Sequence, residues 1–297
     1  KPISCSIWVM SSDSGVAHPL SRSLRDWQHH LRERLRVVSD QPEQEARWLL
    51  AAALGLDATA LLRNALLPIS ADQGAQIAAL LVRRLAGVPL AYCLGEWSFY
   101  GLDLRVSPEV LIPRPDTETL VTLALEGLAE EGAVRVLDLG TGSGAIALAI
   151  ALARPQAEVW AVEHSPAALR VARANGALLA PRVHWLEGDW YAPLDDTLGF
   201  DRIVANPPYL ADDDPHLPDL HHEPRDALVA GPRGLECLER IIAGAYERLS
   251  TSGMLLLEHG PDQGAAVRRL LGNAGFRAVR TRCDLAGRER VSSGTRI

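Results

Sequence analysis

Residues 206–209, Asn-Pro-Pro-Tyr, bring together the groups in this chain best suited to chemistry. Ile203, Val204 and Ala205 form a short apolar run of the kind that makes a buried strand. Pro207 and Pro208 end it, because neither can donate to a sheet ladder. Each X-Pro step also restricts the residue before it, so the turn is stiff and extended. In a parallel α/β sheet, ligands bind at the carboxyl ends of the strands. There Asn206 offers one acceptor and two donors, Pro207 a carbonyl outside any ladder, and Tyr209 a ring. Such a set can hold a planar amide or amine, its N–H groups donated to oxygens and its face packed on the ring.

A second constellation is Asp138-Leu-Gly140-Thr141-Gly142-Ser143-Gly144. Glycines at these positions let the backbone turn sharply out of a strand and approach a bound molecule. The spacing Gly-x-Gly-x-Gly differs from Gly-x-Gly-x-x-Gly, which leads a pyrophosphate onto a helix N-terminus. An acid just ahead of the glycines disfavours a phosphate and suits a cation or amino group. Glu163 lies 23 residues beyond Gly140, at the end of the next strand, placed to accept both hydroxyls of a ribose. Asp189 and Trp190 follow the third strand and offer a carboxylate and a ring to an adenine. Adenosine with a cationic amino-acid tail and no phosphate is S-adenosylmethionine, whose product is S-adenosylhomocysteine. The expected cofactor residues are Asp138, Gly140, Thr141, Gly142, Ser143, Gly144, Glu163, Asp189 and Trp190, with Asn206 at their border.

The elements that must position these groups fall into segments. Residues 1–21 read as a poorly structured extension. Residues 22–88 read as a small all-helical domain, with Leu24, Trp27, Leu31 and Leu35 on one face of its first helix and Asp57 and Ser70 as caps of later ones. Residues 89–112 read as a linker holding a β-hairpin over Tyr92–Val106, turning at Gly101. Pro113-Arg114-Pro115-Asp116-Thr117 then makes an extended wall of the cleft, with Asp116 or Thr117 capping a helix over 120–129 and Arg114 able to meet a substrate. Strands and helices alternate over the remainder of 113–297, with strands at 134–139, 158–163, 183–186, 200–205 and 253–258. That pattern predicts an α/β domain with a mostly parallel sheet, and strands at 276–283 and 289–293 predict an antiparallel edge.

The net charge of −7 is carried by the larger part: residues 91–297 hold 20 Arg against 29 Asp and Glu, which argues against a nucleic-acid groove. The apolar runs are all too short to span a bilayer. Cys5, Cys93, Cys237 and Cys283 form no Cys-x-x-Cys pair, as fits a reducing cytosol. His216, His221, His222 and Glu223 match no metal spacing, and prolines break their segment into a loop, so no metal site is expected. Asp212, Asp213 and Asp214 form a solvated rim after Tyr209.

Asp-Leu-Gly-Thr-Gly-Ser-Gly-Ala-Ile-Ala (138–147), Asn-Pro-Pro-Tyr (206–209) and Leu-Ile-Pro-Arg-Pro-Asp-Thr-Glu (111–118) together resemble the protein-(glutamine-N5) methyltransferases that modify peptide chain release factors. The resemblance runs from about Leu24 to Ile297 and includes Leu-Leu-Glu-His-Gly (256–260) and residues 225–235. It implies a seven-stranded Rossmann-like class I methyltransferase domain behind a helical substrate-binding domain. It also implies contacts from the glycine loop, Glu163, Trp190 and Asn206 to the cofactor or reacting amide. The implied substrate is the glutamine of a Gly-Gly-Gln motif. On this reading Asn206 and Pro207 accept the amide N–H groups, Tyr209 holds the amide plane, and Pro208 and Arg114 line the substrate side. The enzyme is expected to be a cytoplasmic monomer. The rivals are a DNA adenine or cytosine amine methyltransferase, which shares the Asn-Pro-Pro-aromatic turn, and a nucleotide-binding dehydrogenase or binding module.

Overall fold

The computed structural model describes residues 23–128, 132 and 134–297, and the expected extension at 1–21 lies outside them. Two compact units meet in sequence between Cys93 and Leu94. The smaller begins with α1 (Leu24–Leu35), α2 (Pro42–Leu54), α3 (Ala58–Arg63) and α4 (Ala71–Leu85). Ser23 and Asp26 close a capping box on α1, Ser70 and Gln73 another on α4, and Asp57 caps α3 through the Ala60 N–H. Leu31 and Leu35 of α1, Leu49 and Leu50 of α2 and Ile77 of α4 are buried in the core of this unit. Arg84 ties α4 to α2 through Glu45 at 2.9 Å.

A short α5 (Leu90–Leu94) stands where the sequence predicts the start of the hairpin, because the Pro89 carbonyl accepts the Tyr92 and Cys93 N–H groups in a helical turn. The hairpin proper is β1 (Glu96–Phe99) and β2 (Leu102–Arg105). Its two-residue turn is Tyr100-Gly101, with φ of 50° and 76°. Positive φ at both positions suits the right-handed twist of the strands. This hairpin is part of the larger unit's body rather than a linker. Phe99 and Leu104 are buried with Leu120 in its core, and Arg105 exchanges two backbone bonds with the Asn175 side chain.

The larger unit continues with α6 (Glu118–Leu125), β3 (Arg135–Leu139), α7 (Ala145–Ala153), β4 (Glu158–Glu163), α8 (Pro166–Leu179), β5 (His184–Glu187) and β6 (Phe200–Ala205). Then come β7 (Leu210–Ala211), β8 (Val229–Gly231), α9 (Glu236–Arg248), β9 (Leu249–Glu258), α10 (Gly264–Asn273), β10 (Arg277–Cys283) and β11 (Glu289–Thr295). Seven strands make one sheet in the order β10-β11-β9-β6-β3-β4-β5. The strands β9, β6, β3, β4 and β5 are parallel neighbours. Of the two closing strands only β11 runs against the rest; it is inserted between β9 and β10 and antiparallel to both.

Along each central strand side chains alternate between two cores. Val136, Val204 and Leu256 face α6 and α7, whereas Leu137, Ile203 and Leu257 face α9 and α10. By that alternation Asp138, Asn206 and Glu258 share the α6–α7 side.

Candidate active site

The cofactor-side cavity, about 370 Å³, opens over the carboxyl ends of β3, β4, β5 and β6. That volume lies in the range of roughly 300–1,000 Å³ usual for small-molecule sites. Gly140, Thr141, Gly142, Ser143, Glu163, Asp189 and Trp190 line it, as expected, and so do Asn206 and Pro208. Asp138 and Gly144 do not.

The glycine loop holds itself. Gly140 and Gly144 have φ of 72° and 86°, the left-handed region that side chains avoid. A Cβ on Gly144 would also lie 2.9 Å from the Trp185 ring. The loop's N–H groups are taken by protein acceptors: Gly140 and Thr141 donate to the Val162 carbonyl, Gly144 to Thr141, and Gly142 to Glu163 Oε2 at 2.9 Å. Few are left to cradle a phosphate, so the loop is unlike a pyrophosphate site. Glu163 Oε1 accepts the Ser165 N–H at 2.9 Å. Its two oxygens offer about four lone-pair sites, so capacity for two hydroxyls remains.

Asp138 corrects the sequence expectation of a direct cofactor contact. It lies wholly buried beneath α7, where Oδ2 accepts the Thr141 hydroxyl at 2.6 Å and the Ala147 N–H at 3.2 Å. It braces the loop from behind. Burial pushes its carboxyl up to about 7 against those bonds, and Oδ1 is buried without a partner.

Trp190 has φ of 49°, uncommon for a bulky residue and typical of strain at functional sites. Its ring stands 3.4 Å from where a Gly140 side chain would begin, and its indole N–H is buried without a protein partner. Asp189 pairs with Arg240, a residue the sequence reading missed, which leaves the cavity without an unpaired cation at that end. Acidic acceptors, an unpartnered donor, an aromatic wall and no phosphate cradle fit a cationic adenosyl group.

A second cavity, about 320 Å³, adjoins the first. Arg114, Pro207, Tyr209, His216 and Leu228 line it, and Asn206 faces both cavities. The Asn206 Nδ2 donates to Thr117 Oγ1 at 3.2 Å, which leaves Oδ1 available as an acceptor. Burial raises the Tyr209 phenol to about 12, so it stays protonated. Glu223, set aside in the sequence as part of a histidine cluster, instead anchors the wall: it pairs with Arg114 and accepts the Ile112 N–H at 3.1 Å.

The capping expectation at 116–117 also fails. Pro115–Thr117 forms a 3-10 turn, Thr117 already has helical φ and ψ, and neither residue caps α6. Asp116 turns instead to the buried Arg290 at 3.1 Å. Glu258, a further residue the sequence reading did not single out, is buried beside Thr117 at the end of β9, and burial pushes its carboxyl up to about 7.

Fold and site define a class I, S-adenosylmethionine-dependent methyltransferase. Among solved structures, the Thermus thermophilus 16S rRNA N2 G1207 methyltransferase in complex with AdoMet and guanosine matches 68% of this chain and 50% of its own, with 24% identity and a TM-score of 0.52. The catalytic domain of hMettl16 in complex with an RNA hairpin matches 75% of this chain and 81% of its own at 17% identity and TM-score 0.52, a likeness of fold. The PrmC N-terminal domain family matches residues 26–95, and the methyltransferase small domain family matches 116–223. Release factor glutamine methyltransferases from Burkholderia pseudomallei and Salmonella typhimurium are 50% and 45% identical, over 84% and 91% of this chain and 90% and 98% of theirs. The chain belongs to the release factor glutamine methyltransferase family.

Proposed function

We propose that this enzyme methylates the side-chain amide nitrogen of the glutamine in the Gly-Gly-Gln motif of a peptide chain release factor, and so modulates translation termination. The observation that carries the reading is Asn206, which faces both cavities with its nitrogen engaged by Thr117 and its oxygen available. Family membership supports the same substrate.

A carboxamide nitrogen is a poor nucleophile because its lone pair is delocalised into the carbonyl. Asn206 Oδ1 and the Pro207 carbonyl accept its two N–H groups, fix its direction and raise its electron density. Tyr209 and Pro208 confine the amide plane, and Arg114, held by Glu223, borders the substrate side. The bound S-adenosylmethionine supplies an electrophilic methyl group on a sulfonium. Glu163 orients its ribose, Asp189 and Trp190 its adenine, and the loop from Gly140 to Ser143 its remaining length, while Asp138 keeps that loop in shape. Positioning of this kind can contribute on the order of 7–11 kcal/mol.

In this reading the helical unit grips the protein substrate, the enzyme works as a monomer, and it works in the cytoplasm, where release factors act. Among the described residues no helix is long and apolar enough to cross a membrane.

The test is methyl transfer from labelled S-adenosylmethionine to three acceptors: a purified release factor, a copy whose Gly-Gly-Gln glutamine is replaced, and duplex DNA. Label on the intact factor alone is expected. Label on DNA, or equal label on the replaced copy, overturns the reading.

A further inference from the structure

Gln263 stands just ahead of α10, where a helix usually takes a short capping side chain such as Ser, Thr, Asp or Asn. Its side chain makes no cap. It reaches instead to two other stretches of backbone. Nε2 donates to the Tyr209 carbonyl and to the Gly234 carbonyl, both at 2.9 Å, and Oε1 accepts the Gly260 N–H at 2.8 Å. The neighbours set which way this amide faces. Carbonyls only accept and a backbone N–H only donates, so a half-turned Gln263 would lose all three bonds. Gly260 is itself held, because His259 Nδ1 donates to its carbonyl at 2.8 Å.

The two carbonyls mark the ends of one excursion of the chain. Tyr209 closes the Asn-Pro-Pro-Tyr turn, residues 210–233 carry β7 and β8, and Gly234 brings the chain back toward α9. His216, Leu220 and Leu228 on that excursion line the second cavity together with Tyr209. Partway along it, Glu223 ties the excursion to Ile112 and Arg114. The neck is tight. Gly234 has φ of 71°, and a Cβ there would lie 2.7 Å from the Tyr209 carbonyl oxygen and 3.1 Å from Gln263 Nε2. Gln263 lines neither cavity.

We propose that Gln263 is a positioning residue that clamps the neck of the 210–233 excursion and so fixes the Tyr209 side of the acceptor-amide site. It acts through the backbone of Tyr209 and Gly234 and touches neither cofactor nor acceptor. The inference rests on the reading of Asn206 and Tyr209 given above, and adds to it the group that holds them in one register. Asn206 directly follows β6 and takes its place from the sheet, whereas Tyr209 lies two prolines further on, outside the seven strands. A side chain long enough to join both ends of the neck supplies what the sheet does not. A capping residue at the same position would be too short to do so.

The experiment compares the full chain with Gln263→Glu and Gln263→Met. The glutamate keeps an acceptor for the Gly260 N–H but sets an ionised oxygen against two carbonyls; the methionine keeps the length and removes all three bonds. Three quantities are read: kcat and KM on a release factor, cofactor affinity by calorimetry, and backbone hydrogen exchange resolved by segment. Both variants are expected to lower kcat at least about tenfold, with cofactor affinity changed less than about twofold. Exchange over 210–233 should quicken about tenfold, while β3, β4 and β6 keep the wild-type rate.

Unchanged kcat in Gln263→Glu overturns the clamp, even beside an impaired methionine variant, because the effect would then belong to the Gly260 bond and the start of α10. A loss of kcat that merely follows a loss of cofactor affinity overturns it too, as does wild-type exchange over 210–233 in both variants. If the wild type fails to label the release factor, the proposed substrate is wrong, and the exchange over 210–233 still decides whether Gln263 holds the neck.

Discussion

At the scale of single residues, the site separates groups that face the cavities from groups that hold them. Asn206 belongs to the first kind. Asn206→Ala should lower kcat by roughly 10²–10³-fold, the usual cost of removing one preorganised hydrogen-bonding group, with cofactor affinity little changed. Equal losses in both, measured by steady-state kinetics and calorimetry, would count against its assigned role. Asp138 belongs to the second kind. Its folded carboxyl sits at about 7 against an ordinary 3.8, so the folded state disfavours its charge. The stability this group contributes is present below about pH 4 and is lost as pH rises through about 7, by an amount on the order of a few kcal/mol. Asp138→Asn carries no such charge, so its Tm advantage over the wild type should widen between those pH values. A constant difference would mean that the buried charge is not the cause. Asn206 was legible because prolines flanking a strand end leave little else for the turn to do. Asp138 was misread because spacing alone does not say which face of β3 a residue takes, and alternation puts it with Val136 under α7.

Among the elements, the boundaries of α7, β4, α8 and β6 were readable because apolar periodicity and the Gly or Pro residues at their ends agree. The short elements were not. The helical turn α5 depends on Pro89 accepting two N–H groups, and the β7–β8 pair holds only a few residues, too few for either to show a period. The loop ahead of α7 makes a sharp prediction. Gly144→Ala must hold φ near 86° and set a methyl 2.9 Å from Trp185. Left-handed backbone alone costs about 1–2 kcal/mol, and the overlap adds to it. Thermal unfolding should show a loss of about 2–4 kcal/mol with weaker cofactor binding. A neutral result would mean that the loop and the Trp185 ring can both shift freely.

For the whole molecule, the division at Cys93–Leu94 leaves each unit with its own buried core, and both cavities are lined entirely by residues from Glu109 onward. A chain starting at Leu94 should therefore bind S-adenosylmethionine with affinity within a few-fold of the full protein. It should methylate an intact release factor far more slowly, because the surface proposed to grip that protein is gone. Calorimetry and initial rates would check the two halves separately, and full activity without the helical unit would remove its assigned role. The acidic balance of residues 91–297, together with the helical domain ahead of them, counts against DNA as the substrate, although the Asn-Pro-Pro-aromatic turn is shared with enzymes that act on it.

The place of β11 governs the order in which this sheet can be finished. It follows β10 in the sequence, yet it lies between β9 and β10, and it carries the buried Arg290 that grips Asp116. While the chain is being synthesised, the edge of β9 therefore has open backbone donors and acceptors until residues 289–295 have emerged, and that edge can pair with another chain. Any product cut short before Glu289 keeps that edge exposed and leaves Asp116 without its partner on Arg290. Copies that lack β11 should therefore be prone to aggregation or proteolysis.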